Sequence, residues 1–163
     1  MFNAWSVVIE AFLDETDEHY VNVYGEYESN LHLPISNTRN ALEIISNSDA
    51  PYHDANHTMM ITTVGMEILR GKILIKGGIS ATDWVHFVIS LLNHDIGYIR
   101  GICRADRNGR YAINSEYETI SPPPGFTDAF LTPYHVDRAK MYITERFEKE
   151  EAVDVYVICE NIE

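Results

Sequence analysis

From Trp84 to Ile99 the chain carries apolar side chains around nearly the whole circumference of one helix. Trp84, Val85, Phe87, Val88, Ile89, Leu91 and Leu92 precede Asn93-His94-Asp95, and Ile96 and Ile99 follow it. A helix apolar on every face belongs inside a core, so the other elements must wrap around this one. Ser80 or Thr82 is its expected cap, and it is expected to run to about Tyr98. An imidazole and a carboxylate at the end of such a helix are costly to bury unless something pairs with them, and a metal ion is an efficient partner. A hydrogen-bonded Asp-His pair that closes the helix before Gly97 is the alternative.

A second ligand-type segment, Tyr52-His53-Asp54-Ala55-Asn56-His57, lies upstream. If it is helical, His53 and His57 are four residues apart and share a face, which tips the balance toward metal. Asp54 and Asn56 could orient these histidines. His19, His32 and His86 have no partner spacing and read as structural.

Helical periods dominate the remainder. Residues 4 to 24 place Trp5, Val8, Ile9, Phe12, Leu13, Tyr20, Val21 and Tyr24 at spacings of three and four, as one amphipathic helix or two short ones. After a break at Pro34, Ser36 or Asn37 is the expected cap of a helix through Ala41, Leu42, Ile44 and Ile45. Residues 54 to 70 form the next, with Met60, Val64, Ile68 and Leu69 as its core stripe and Gly71 just beyond. Residues 73 to 78 read as strand by propensity, or as a loop or helix end. Residues 100 to 132 are irregular, with Gly101, Gly109, Pro122-Pro123-Pro124 and Gly125. Helix returns over 133 to 150, opening near His135, and a last helix runs from about Ala152. The expectation is one all-α domain over residues 1 to 163, a bundle of about six helices.

The formal charge of −13 argues against nucleic-acid or anionic-membrane surfaces. With only Cys103 and Cys159, no apolar run long enough to span a bilayer and no signal peptide at Met1-Phe2-Asn3, a reduced, cytoplasmic setting is expected. Four of the twelve basic residues, Arg100, Arg104, Arg107 and Arg110, nevertheless follow the His-Asp pair directly. Arg100 and Arg104 are candidates to bind an anion there, or else to form surface salt bridges. His135 could contact the same anion or a second metal ion. Tyr98 lines the mouth of the pocket or belongs to the core.

His-x3-His followed by His-Asp at the end of a buried helix resembles the HD superfamily of metal-dependent phosphohydrolases, especially its cyclic-nucleotide phosphodiesterase branch. The likeness spans roughly residues 35 to 163. It implies an HD-domain bundle that hydrolyses a small-molecule phosphate ester. His53 would be the proton donor to the leaving oxygen; His57, His94 and Asp95 would be ligands to one or two divalent ions, with Asp95 free to bridge. Zinc, iron, manganese, nickel or magnesium are the candidates. The family completes its site with an aspartate on a later helix, in an Ala-Asp-Leu-like context expected after residues 157 to 163. The sequence ends at Glu163, so the expectation is a longer protein or a site completed otherwise, with Asp154 the carboxylate at hand. The family's aromatic purine pocket with its glutamine is not recognisable. A catalytically silent HD-like module that binds a nucleotide or partner protein is the second reading. Apolar residues near Val155, Tyr156 and Ile158 suggest a homodimer.

Overall fold

The computed structural model describes residues 4–26 and 39–162. Six α-helices occur among them: α1 (Ala4–Tyr24), α2 (Arg39–Ile45), α3 (Ala55–Lys76), α4 (Ala81–Asn93), α5 (His135–Phe147) and α6 (Val155–Glu160). The chain is therefore an all-α bundle, with 3-10 turns at Ile96–Tyr98 and Asp128–Tyr134. A minimal antiparallel hairpin, β1 (Tyr111–Ala112) and β2 (Thr119–Ile120), pairs Tyr111 with Ile120 and Ala112 with Thr119. The expected caps at Ser36 and Asn37, the break at Pro34, and His32 lie outside the described residues.

Helix α4 forms the centre. Trp84, Val85, Val88, Ile89 and Leu92 are fully buried, as its all-round apolar sequence requires. Ser80 starts it with a capping box, its hydroxyl accepting from Asp83 N–H while the Asp83 carboxylate accepts from Ser80 N–H. One long helix, α1, covers this core through Ile9, Phe12, Leu13, Thr16 and Tyr20. The Tyr20 ring meets Trp84 edge-on at 5.3 Å. Val8 and Val21, expected inside, are exposed.

Helix α3 departs most from its sequence expectation. It continues through residues 73 to 76, so no strand forms there, and Gly77 at φ 63° stops it. Its core stripe is also different. Met60, Val64 and Ile68 are more than half exposed, whereas Thr58, Met59, Thr62, Gly65 and Met66 are buried. The buried hydroxyls of Thr58 and Thr62 bond to carbonyls one turn back, at 3.1 and 2.8 Å, and so enter the core satisfied. A Cβ on Gly65 would lie 2.3 Å from Leu91 Cδ1, which shows how closely α3 approaches α4.

The last helix is shorter than expected. Asp154 is its cap, accepting from Tyr156 and Val157 N–H, and its own N–H donates to His86 Nε2 at 2.9 Å. Asp154 is thus committed to the helix start. Tyr156 is exposed, but Ile158 is fully buried, so the apolar patch expected around α6 is smaller than its sequence suggests. No described helix is long and apolar enough to cross a membrane.

Candidate metal centre

The site forms where the end of α4 meets the start of α3. Helix α4 ends at Asn93, leaving His94 as its cap and Asp95 in the turn beyond. The Asp95 side chain is 3% exposed, and three imidazole nitrogens converge on its Oδ2: His53 Nδ1 at 2.8 Å, His94 Nε2 at 3.1 Å and His57 Nε2 at 3.5 Å. The histidines are 26–33% exposed, so the carboxylate is the floor of a shallow site and the rings its walls.

His53 does not share a helix with His57. Asp54 caps α3, in keeping with a helix expected from residue 54, its Oδ1 accepting from His57 N–H at 2.9 Å. His53 therefore precedes the helix, at the end of a turn closed by its N–H on Ala50 O at 3.3 Å. Pro51 is second in that turn and Tyr52 third, at φ 68°. This is the pattern of a type II turn, whose third position normally takes glycine. Tyr52 is 88% exposed, so packing of its ring does not account for the left-handed backbone. Asn56 is exposed and plays no part in the cluster.

Bonds to the histidines fix their tautomers. His94 Nδ1–H donates to Leu91 O at 2.7 Å, so in the neutral ring Nε2 keeps the lone pair that a metal ion would take, and in the protonated ring Nε2–H donates to Asp95. Likewise His135 Nδ1–H donates to Thr132 O at 2.7 Å. Tyr98 is 3% exposed and stacks on both His53, at 4.2 Å between ring centres, and His135, at 4.5 Å. It is both core and site wall. Burial alone would raise the Asp95 carboxyl, but the hydrogen bonds and charge of His94 and then His53 outweigh it and hold it at about 2. Burial would lower His94, yet its bond to Asp95, the charge there and the Leu91 carbonyl leave it raised.

His53, His57 and Asp95 each offer a ligand atom, all within 4.8 Å of one another, so this cluster could hold a metal ion. A carboxylate held deprotonated among imidazoles is the donor set that borderline divalent ions favour, and the fit is good.

A family model described as Npun_R2479-like matches residues 2–163. The chain belongs to the Npun_R2479-like family. Neither a curated protein nor a solved structure matches it.

In this Npun_R2479-like chain the two candidate arginines both hold carboxylates. Arg100 donates to Asp128 Oδ1 at 2.5 Å and to Asp49 Oδ2 at 3.1 Å, with its guanidinium 5.0 Å over the Phe126 ring. Arg104 bonds to Glu148 Oε1 and Glu145 O, both at 2.8 Å. Glu145 is ten residues along α5 from His135, about 15 Å at the helical rise, so Arg104 is remote from the His-Asp cluster. Arg107 and Arg110 bracket a tight turn through Asn108 and Gly109, at φ 54° and 71°. The Asn-Gly pair signals that turn in the sequence.

Sequence reasoning missed the fully buried Arg138. Its guanidinium holds both Asp106 oxygens at 3.0 and 2.9 Å and the carbonyls of Gly97, Ile99 and Ala112 at 2.6–2.7 Å. It welds the segment after the His-Asp pair to α5. No pattern in the sequence marks it, because its partners are mostly backbone carbonyls.

Proposed function

We propose that this chain is a metal-dependent phosphohydrolase of the HD kind, acting on a phosphate ester of a nucleotide or another small molecule. The observation that carries the proposal is the convergence of three imidazole nitrogens on the single buried oxygen Asp95 Oδ2. His57, His94 and Asp95 are the ligands that the HD resemblance also assigns. His53 is added here as a ligand, because its ring lies with His57 and Asp95 in the group whose ligand atoms are within 4.8 Å of one another, whereas His94 stands outside that trio and joins it through Asp95 Oδ2. Three nitrogens and one carboxylate favour zinc, iron, manganese or nickel over magnesium, which prefers oxygen throughout.

A divalent ion bound there would lower the pKa of its water toward neutrality and supply a nucleophile for phosphorus. The protein's own groups set up the rest. Asp95, ionised down to about pH 2, brings negative charge to a buried point where a cation is needed. The Leu91 and Thr132 carbonyls fix the His94 and His135 rings by their Nδ1–H groups, so that each presents Nε2. His135, beside Tyr98 and partly exposed, can meet a phosphoryl oxygen or the leaving group at the rim.

The test is elemental analysis of the purified chain beside a His94→Ala/Asp95→Ala double variant. Near-stoichiometric metal that disappears in the double variant, together with turnover in a panel of phosphate esters, is the expected result. Metal absent from both preparations after reconstitution with each ion refutes the reading. Metal bound without turnover of any ester supports the silent binding module instead.

A further inference from the structure

Arg100, Asp49 and Asp128 form a closed set outside the metal cluster. Asp49 N–H donates to Asp128 Oδ2 at 3.1 Å, Asp128 N–H donates to Asp49 Oδ1, and Arg100 donates to one carboxylate oxygen of each. Asp128 is 3% exposed and the Arg100 guanidinium lies over Phe126. The reciprocal backbone bonds join positions 79 residues apart. A surface salt bridge makes no such exchange.

Each member sits on a strand of chain that delivers a site residue. Asp49 immediately precedes the turn Ala50 to His53. Arg100 follows the 3-10 turn that carries Tyr98. Asp128 begins the 3-10 turn that ends at Tyr134 and supplies Thr132 O to His135. The first of these segments is the strained one, since Tyr52 is held at φ 68° with an exposed ring. A non-glycine residue persists in that region only where its surroundings over-determine it.

We infer that the Arg100–Asp49–Asp128 clamp is a positioning device that holds the Ala50–His53 turn in its strained form and thereby keeps His53 on Asp95. The inference rests on the metal-site reading above and gives Arg100 a positioning role in place of an anion-binding one. Removing the clamp leaves His57, His94 and Asp95 on α3 and the end of α4, but frees the turn to relax and withdraw His53.

Zinc titration of the metal-free chain against a chromophoric chelator tests it. Arg100→Ala weakens zinc about 10–100-fold, the usual effect of losing a group that orients a ligand. In a His53→Ala background the same substitution has less than about a two-fold effect, because the ligand it positions is already gone. Tyr52→Gly, which makes the turn unstrained, restores most of the affinity of Arg100→Ala. Unchanged affinity in Arg100→Ala, or an equal loss with and without His53, overturns the clamp while leaving the metal site intact. Should Arg100→Ala not fold, Arg100→Lys, which keeps the charge but not the two-pronged contact, is read by the same cycle. A wild-type chain that takes up no zinc, iron or manganese removes the metal reading and the clamp's role together.

Discussion

A Cβ on Gly97 would lie 1.9 Å from the carbonyl oxygen of His135 and 2.9 Å from Ala139 N. The first turn of α5 therefore rests directly on the backbone that follows the His-Asp pair, and this contact brings His135 against Tyr98. The obstacle is backbone, which cannot swing aside as a side chain can. Gly97→Ala should cost about 3 kcal/mol or more in chemical denaturation, at the upper end of overpacking effects. It should also lower metal affinity, since Asp95 is two residues away. A loss below about 1 kcal/mol would mean that α5 packs less closely than described.

His53 and His57 are expected to behave alike. Each places a ring nitrogen within 3.5 Å of Asp95 Oδ2. Their alanine variants should retain substoichiometric metal, whereas Asn56→Ala, at an exposed site between them, should retain the wild-type content. If His53→Ala keeps full metal and loses only turnover, His53 is the proton donor that the HD resemblance implies.

The His-Asp cluster was legible because its residues lie in segments whose burial the sequence encodes. Seven apolar residues before His94 dictate a buried α4, and Asp54, three residues before His57, marks a helix start. The helix start expected at residue 54 already leaves His53 outside it, so a shared helical face for His53 and His57 does not follow. Other features had no sequence-level signature. The Arg138 contacts are made with backbone carbonyls, and the Asp49–Asp128 exchange joins sites far apart in the chain. In α3, apolar residues occur on both faces, so period alone could not choose between them. The deciding factor was the small and hydroxyl-bearing face of Thr58, Thr62 and Gly65, which lets α3 come close to Leu91.

Metal-free protein should show a pH window set by the His94–Asp95 pair. Asp95 is lowered from 3.8 to about 2, so its contribution is present above 3.8 and is lost as pH falls toward 2. That shift corresponds to about 2 kcal/mol. His94 is raised above 6.5, so its contribution is complete below 6.5 and is lost as pH rises through the raised value. The pair thus stabilises most between 3.8 and 6.5. Chelator-treated wild type and His94→Gln should differ most in denaturation midpoint near pH 5 and converge toward pH 9. Metal affinity should rise over the same upper range, since a proton on His94 competes with the ion. A stability difference that grows with pH would contradict the pairing.

Arg138→Ala should be among the most damaging substitutions in the chain. Arg138 and Asp106 have 0% and 1% exposed side chains, and truncating one partner strands a buried carboxylate and three carbonyls. A loss of about 3–5 kcal/mol is the expected scale. Pairing Arg138→Met with Asp106→Leu should recover part of it, because the charge is then no longer stranded. No recovery in the double variant would show that the backbone bonds of the two side chains, from Arg138 to the Gly97, Ile99 and Ala112 carbonyls and to Asp106 from the Gly101 and Ala112 N–H groups, carry most of the stabilisation.

The reversed face of α3 gives a paired test by truncation. Met66 is fully buried and Ile68, two residues on, is 65% exposed. Met66→Ala should cost about 2–5 kcal/mol, the range for deleting a large core side chain. Ile68→Ala should change stability by about 0.5 kcal/mol or less, as exposed positions do. Helix propensity even favours alanine over isoleucine there by a few tenths of a kcal/mol. The stripe read from the sequence, with Met60, Val64 and Ile68 inward, predicts the opposite ranking. Urea unfolding of the two variants therefore discriminates between the helix orientations: a larger loss at Ile68 than at Met66 would require α3 to be turned about its axis, which would carry His57 away from Asp95.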